Sequence, residues 1–172
     1  MPVPVRIVSR PRGGPGAARN SGCRAAAGDV YAFLDADDVW CPEKLECQVA
    51  VLERDPGVAM VFAGVEQFYS PELERTGAPV VPERAARAGL LPSTFVVRRD
   101  AFWRAGGFGE GTIFGEFADW YARAEEHGLR GETVDRVLVR RRIHDHNAGV
   151  TLRACRGDYA RVLKGVLDRR RA

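Results

Sequence analysis

A run of five apolar residues that ends in three carboxylates constrains the fold of this chain more than any other feature. Val30 to Leu34 is rich in β-forming side chains, and this uninterrupted run predicts a strand that is buried on both faces. Asp35, Asp37 and Asp38 follow within four positions. Open α/β sheets bind ligands at the carboxyl ends of their strands, so the run places a candidate site at this turn.

The spacing of the carboxylates indicates what they could bind. Asp35 and Asp37 lie two positions apart and would share one side of an extended backbone. Close carboxylates repel unless a cation, hydrogen bonds or protonation compensates them. A hard divalent cation beside a phosphate, Mg²⁺ or Mn²⁺, would account for the pair. The structural alternative is a turn that caps the next helix, and we expect Asp38 to be that N-cap.

Composition excludes several classes of protein. The 172 residues are enough for one domain, and 45% hydrophobic with 28% charged residues is typical of a soluble globular chain. No apolar run approaches the roughly 20 residues of a membrane helix, and the first five residues lack the charged-then-apolar layout of a secretion signal. The formal charge of +3 and the absence of a nucleic-acid motif argue against a nucleic-acid partner. Four cysteines without metal spacing predict reduced thiols and a cytoplasmic protein.

Strand and helix patterns alternate along the chain, which predicts an α/β fold with a mixed sheet. The last helix is expected to carry an apolar stripe that includes Val162, Leu163, Val166 and Leu167, and the second helix is expected to carry Leu45, Val49 and Leu52 on one face. We predict further strands at Val3 to Val8, Val58 to Tyr69, Ser93 to Arg98 and Val134 to Ile143, and helices at Pro15 to Ala27, Pro42 to Arg54, Glu116 to His127 and from about Thr151.

Two connections have the composition of loops. Ser70 to Pro92 contains four prolines and is predicted to be a surface excursion, and the five glycines of Gly106 to Gly115 predict a mobile loop. The expected organisation is therefore a partial domain over residues 1–150, followed by an amphipathic helix over residues 151–172 that packs on it or extends from it.

Four motifs follow one another along the chain. They are Gly16-Ala-Ala-Arg-Asn-Ser-Gly22, Leu34-Asp-Ala-Asp-Asp-Val-Trp40, Gly106-Gly107-Phe108, and a helix with Glu116 after a glycine-rich loop. Their order resembles the family 2 glycosyltransferases of GT-A fold, and the resemblance covers nearly all of the chain from Val5 to about Asn147. It implies a GT-A-like mixed sheet flanked by helices and a metal-dependent transfer of a sugar from a nucleotide-diphosphate donor to an acceptor hydroxyl, with inversion favoured.

The resemblance also implies roles for particular residues. Asp35 would approach the donor's ribose or the metal, and Asp37 would bind the Mn²⁺ or Mg²⁺ ion that bridges the diphosphate. Arg19 matches a nucleotide-contacting arginine, and His144 matches a histidine that closes over the metal or the diphosphate. The plainer alternatives are a surface helical arginine and a surface or hydrogen-bonded histidine. Asn147 is expected to be an ordinary loop residue.

The family pattern is incomplete at two places. Many relatives carry Glu-Asp where this chain has Glu116 and Phe117, and Phe117 cannot accept a proton. Glu116 and Asp119 share a helix face, so either is a candidate base for the acceptor, and the alternative is a pair of acids favoured by the helix dipole. The opening strand-helix-strand unit of relatives is missing, so we expect an N-terminally truncated fold whose open edge favours self-association or completion by another chain.

Two other functions fit part of the sequence. The run from Asp35 to Val39 matches the strand-end pattern of aspartate-nucleophile phosphatases, but both lysines, Lys44 and Lys164, lie inside predicted helices rather than at strand ends. A degenerate sugar-nucleotide fold that acts as an interaction module without turnover is the other alternative. Metal-dependent nucleotide binding would distinguish such a module from a folding relic, and sugar turnover would distinguish it from an active transferase.

Overall fold

A single mixed sheet organises the fold. The computed structural model describes residues 4–74, 87–88, 90–111, 113–145, 147 and 156–171. The strands are β1 (Val30–Ala32), β2 (Val39–Trp40), β3 (Val58–Tyr69), β4 (Arg87–Ala88), β5 (Val96–Arg98) and β6 (Arg130–Ile143). Within the described residues the strand order is β1-β5-β3-β6-β2, with β4 beside β3. Strands β3 and β6 are parallel and every other pairing is antiparallel, which confirms the expected mixed α/β sheet.

Helices flank this sheet. The described residues of the glycine-rich connection after Arg104 have no regular secondary structure, and the next helix begins at Glu116, directly after Gly115, whose φ of 85° favours glycine. Among the described residues, no helix is both long enough and apolar enough to cross a membrane. The helices are α1 (Gly14–Ala25), α2 (Lys44–Arg54), α3 (Pro71–Glu74), α4 (Arg99–Arg104), α5 (Glu116–Glu126) and α6 (Arg156–Arg171), with a 3₁₀ turn at Pro92–Thr94.

An aromatic core joins the sheet to α4 and α5. Phe95 lies 5.1 Å from Phe117 and 5.4 Å from Trp120 between ring centroids, and Phe102 stacks on Trp120 at 5.5 Å. Phe117 is only 8% exposed. The residue that stands where relatives carry an acid is therefore part of the core, and its burial fixes the rotation of α5.

Strand β1 forms an edge of the sheet. Tyr31 and Phe33 are buried, but Ala32 is exposed and Leu34 is 48% exposed, so the prediction of a strand buried on both faces is wrong. Tyr31 and Phe33 belong to the aromatic core on one face, whereas Ala32 and Leu34 point to the opposite face, which is open to solvent.

The segment before α1 also differs from the sequence prediction. Its described part, residues 4–8, forms no strand, and Val5 and Ile7 are 87% and 88% exposed. The predicted strand at Val3 to Val8 is therefore wrong over its described residues. An isolated strand has no backbone partners for its N–H and C=O groups, so its apolar pattern does not suffice to form one.

Helix α2 buries a polar face. Lys44 and Gln48 are fully buried, whereas Leu45 is 42% exposed, so the predicted burial of Leu45 is wrong and that of Leu52, at 2% exposure, is confirmed. Gln48 donates from Nε2 to a carbonyl of β3 at 2.8 Å and to the carbonyl of Thr94 at 2.9 Å. These bonds make a polar residue the more favourable one on the inner face at this position.

Helix α6 packs on the start of α5. Val162 lies against Gly115, while Leu163 and Leu167 are 60% and 52% exposed. The predicted burial of these two leucines is therefore wrong, because the packed face of the helix is one residue out of register with them. The predicted start of the helix, residues 151–155, and most of the excursion from Ser70 to Pro92 lie outside the described residues.

Candidate active site

The turn that carries Asp35, Asp37 and Asp38, here called the acidic turn, lies beyond the carboxyl ends of the strands, on the side of the sheet where β1, β3 and β6 end. Strand β1 runs parallel to β3 because each is antiparallel to β5. The turn is closed by a bond from the Asp38 N–H to the Asp35 carbonyl at 3.1 Å. The Ser93 hydroxyl accepts the Asp35 N–H at 3.1 Å, and the Ser93 carbonyl accepts Trp40 Nε1–H at 2.9 Å. The turn is thus fixed to the segment before β5.

Arg19 of α1 bridges two carboxylates. Its Nη2 donates to Asp35 Oδ1 and its Nη1 to Glu116 Oε1, each at 2.6 Å. The side chain is 16% exposed, which contradicts the alternative of a surface arginine. Burial lowers the pKa of Arg19, but Asp35 and Glu116 more than offset this, and the net shift is upward. Arg19 therefore ties the acidic turn to the first residue of α5.

The rest of α1 holds the loop that precedes α5. A Cβ at Gly16 would lie 2.2 Å from the carbonyl oxygen of Gly109, so only glycine fits there. Asn20 donates from Nδ2 to the Phe108 carbonyl at 2.8 Å and accepts the Phe108 N–H at 2.9 Å, as a neighbouring strand would. These contacts place Glu116 beside Arg19.

Asp37 and His144 lie side by side at the carboxyl end of β6. Asp37 Oδ2 is 3.0 Å from His144 Nε2, and the Arg142 Nε–H donates to the Asp37 carbonyl at 3.3 Å. The Asp37 and His144 side chains are 40% and 25% exposed, so a ligand can reach them. The described residues contain no cluster of three or more metal-binding side chains. The Asp37 carboxylate is the ligand type that Mn²⁺ and Mg²⁺ prefer, the imidazole is a less usual ligand for either ion, and a diphosphate would supply further oxygens.

Asp38 does not cap a helix. Its Oδ1 accepts the Arg142 N–H at 3.3 Å, and its carboxylate forms a hydrogen bond with Ser93. Burial raises the pKa of Asp38, and the bond from Ser93 opposes this shift. The predicted N-cap role is wrong, because β2 intervenes between the turn and the start of α2 at Lys44.

The two acids at the start of α5 have different neighbours. Glu116 is 7% exposed and faces Arg19. Asp119 pairs through Oδ2 with Arg123 Nε and through Oδ1 with Arg169 Nη2, each at 3.0 Å, on the side of α5 that meets α6. The structure thus brings Glu116, but not Asp119, into contact with the residues of the acidic turn.

The structure adds three residues to this region that the sequence did not single out. They are Asn20, Ser93 and Asn147, each buried and each bonded to main-chain groups. Asparagine and serine commonly form such local bonds to the main chain. For Asn147 the available signal was its position three residues after His144, and for Asn20 its position four residues after Gly16 on one helix face.

Sequence comparison gives two results. Residues 1–104 match the family model described as Glycosyl transferase family 2. Over 157 residues the chain is 31% identical to the pre-mycofactocin glycosyltransferase of Mycobacterium tuberculosis, a match that covers 83% of this chain and 32% of that protein. The matched regions span between 14% and 38% of the length of four curated relatives.

Solved structures share the fold. S. aureus TarS in complex with UDP-GlcNAc superimposes with a TM-score of 0.69 at 18% identity, over 90% of this chain and 46% of that one. Glucosyl-3-phosphoglycerate synthase from Mycobacterium tuberculosis, in complex with Mn²⁺, UDP and phosphoglyceric acid, gives a TM-score of 0.52 at 22% identity, over 83% and 49% of the two chains. The sheet and flanking helices therefore have the GT-A architecture.

Proposed function

Because the chain belongs to glycosyltransferase family 2, we propose that its acidic turn binds the diphosphate of a nucleotide-sugar donor through Mn²⁺ or Mg²⁺. The observation that carries the proposal is the accessible Asp37–His144 pair, with Nε2 and Oδ2 3.0 Å apart at the end of β6. The proposed reaction transfers the sugar to an acceptor hydroxyl with inversion at the anomeric carbon.

Different residues at and around the acidic turn would bind different parts of the donor. Asp37 and His144 would hold the cation, which when bound neutralises the negative charge on the departing diphosphate. Arg19 occupies Asp35 Oδ1, which leaves the second oxygen of that carboxylate for the donor's ribose or the metal. The guanidinium of Arg19 is fixed between Asp35 and Glu116, so any contact of Arg19 with the nucleotide would be made beside these two carboxylates.

Glu116 is the better placed of the two candidate bases. In an inverting transfer the acceptor oxygen attacks the sugar carbon opposite the diphosphate and loses its proton to a nearby base. Glu116 shares Arg19 with the acidic turn, whereas the Asp119 carboxylate is held by Arg123 and Arg169. Asp119 stays the alternative, since it lies on the same helix and is 21% exposed.

The free edge of β1 supports a further part of the proposal. Among the described residues no strand pairs with the outer side of β1, so a strand from another chain or a second copy could pair with its backbone there. Sedimentation of the purified chain at several concentrations tests this part. A monomer that stays monomeric at high concentration would contradict self-association.

Calorimetry with MnCl₂ and UDP tests the metal site. Wild type should bind UDP more tightly with Mn²⁺ than without it, and Asp37→Asn should lower the Mn²⁺-dependent affinity at least about tenfold. Asp145→Asn, which removes an exposed acid next to His144, is the matched control and should bind like wild type. Equal Mn²⁺-dependent UDP affinity of wild type and Asp37→Asn would contradict the proposal.

Turnover assays with UDP-sugars and an acceptor panel test the base. Glu116→Gln should lower kcat by about 10²–10⁴-fold with UDP binding retained, and Asp119→Asn should have a much smaller effect. If both variants keep near-normal kcat, another group activates the acceptor.

The buried Phe117 favours a second candidate function, an interaction module, and Mn²⁺-dependent UDP binding without any sugar turnover would support that alternative.

A further inference from the structure

The side chain of Asn147 joins the main chain around His144 to the carboxylate of Asp37. Its Oδ1 accepts the His144 N–H at 2.6 Å, and its Nδ2 donates to the Arg142 carbonyl at 3.2 Å and to Asp37 Oδ2 at 3.4 Å. The Asn147 N–H also donates to the His144 carbonyl at 3.1 Å. With an exposure of 7%, Asn147 makes these bonds largely out of contact with water.

These bonds occur where the sheet no longer supports the chain. Strand β6 ends at Ile143, so pairing within the sheet does not fix the main chain of His144. Asn147 supplies that constraint from both sides, because it accepts the His144 N–H and donates to the Arg142 carbonyl. Groups that orient a metal ligand in this way change metal affinity by about 10–100-fold when they are removed.

We infer that Asn147 is a positioning residue for His144, which fixes its main chain so that Nε2 lies beside Asp37 Oδ2. The inference rests on the proposed metal site. It assigns Asn147 an indirect role, because the Oδ1 atom that could bind a cation already accepts the His144 N–H. The weaker contact at 3.4 Å steadies the carboxylate of the same pair.

Mn²⁺ titration of the full chain, followed by the electron paramagnetic resonance signal of free Mn²⁺ in the presence of UDP, tests the inference. Asn147→Ala should weaken Mn²⁺ binding by about tenfold or more. Asn147→Ser, whose hydroxyl can still accept the His144 N–H, should recover part of the affinity. Asn147→Gln displaces the amide by one methylene and provides the same test if the alanine variant does not fold.

A double-mutant cycle separates positioning from general destabilisation. If Asn147 acts through His144, then Asn147→Ala should cause little further loss of Mn²⁺ affinity in a His144→Ala background. Gln48→Ala is the matched control, because Gln48 is also buried and bonded to the main chain but contacts the carbonyls of Val61 and Thr94 instead. It should lower the melting temperature and leave the Mn²⁺ affinity unchanged.

The possible results distinguish the inference from the proposal on which it rests. A wild-type chain that takes up no Mn²⁺ with UDP present would overturn the proposed metal site and this inference together. A wild type that binds Mn²⁺ with the same affinity as Asn147→Ala would overturn the inference alone. So would an equal loss from Asn147→Ala in the wild-type and His144→Ala backgrounds.

Discussion

Arg19 and Lys44 are both buried cations, but only Arg19 is paired with carboxylates. Arg19 is 16% exposed and has a carboxylate on each side, both at 2.6 Å. Lys44 is fully buried, and its Nζ has no hydrogen-bond partner among the described residues and lies 4.3 Å from the centre of the Trp40 ring. The net pKa shift of Arg19 is upward, whereas burial lowers the pKa of Lys44 to about 7.

The surroundings of Arg19 stabilise its charged form, whereas those of Lys44 destabilise it. Removing one partner of a buried ion pair leaves an uncompensated charge. Loss of Arg19 should therefore lower the free energy of unfolding and weaken the link between the acidic turn and α5. The ring face of Trp40 favours the ammonium form of Lys44 but compensates only part of its desolvation. Lys44 is therefore a buried cation whose charge weakens the fold near neutral pH.

The largest effect is expected from Arg19→Met. Loss of the guanidinium leaves Glu116, whose side chain is 8% exposed, without a counter-ion, and should reduce the free energy of unfolding by about 3–5 kcal/mol. Urea denaturation measures this. Adding Glu116→Gln should recover part of the loss, because the unpaired carboxylate is then absent.

Arg24→Met is the matched control for that comparison. Arg24 lies on the same helix, its side chain is 59% exposed, and it approaches Glu110 at 3.5 Å. Its replacement should change stability by no more than about 0.5 kcal/mol. Equal losses from Arg19→Met and Arg24→Met would contradict the importance of the Arg19 bridge.

Lys44→Met should stabilise the protein at pH 7 by about 1–4 kcal/mol, the range found when buried charged groups are replaced by apolar residues of similar volume. In wild type the folded pKa of Lys44 is about 7, against 10.5 for an ordinary lysine. The unfolded state therefore binds more protons between these values, and the contribution of Lys44 to stability rises with pH over that window. The advantage of Lys44→Met should be full at or below pH 7 and disappear towards pH 10.5.

Urea unfolding of wild type and variant at pH 6, 7, 8 and 9 measures this difference. Lys164 is the other lysine of the chain and is exposed on α6, so Lys164→Met is the control and should give a difference that does not vary with pH. A pH-independent gain from Lys44→Met would show that packing, and not the buried charge, is responsible.

The smallest effect is expected from Asp119→Asn, which removes two partly exposed ion pairs, with Arg123 and Arg169. The side chains of all three residues are between 18% and 36% exposed, so the loss should be about 1 kcal/mol. Thermal unfolding at low salt and at 0.5 M NaCl should show the difference shrinking as salt screens the pairs. Asp135→Asn, at an exposed acid of β6, should have no such effect.

The elements that sequence predicted well are those with a long local pattern. Strand β3 has the predicted bounds, Val58–Tyr69, because an apolar run of that length fits the middle of a sheet. The start of α5 at Glu116 follows from the glycine before it. The acidic turn was also predictable, since its three carboxylates follow the apolar run directly.

The inner face of α2 could not be predicted in the same way. Its apolar residues favoured a face that includes Leu45, but the structure buries Lys44 and Gln48 instead. The choice depends on carbonyl groups of β3 and the Pro92–Thr94 turn, which are distant in sequence and accept bonds from Gln48. A similarly distant group, the Arg142 N–H, donates to Asp38 Oδ1, and no local pattern predicts that bond.

The sequence by itself determined the family, the mixed α/β architecture and the residues that carry carboxylate, imidazole and guanidinium groups near the turn, because short motifs and hydrophobic periods are local properties of a chain. Tertiary structure alone decided which of these groups meet. Arg19 lies 97 residues from Glu116, and His144 lies 107 residues from Asp37, yet each pair is in hydrogen-bond contact. Such contacts depend on how the helices and the sheet pack, since side chains separated by that length of chain have no local constraint that brings them together.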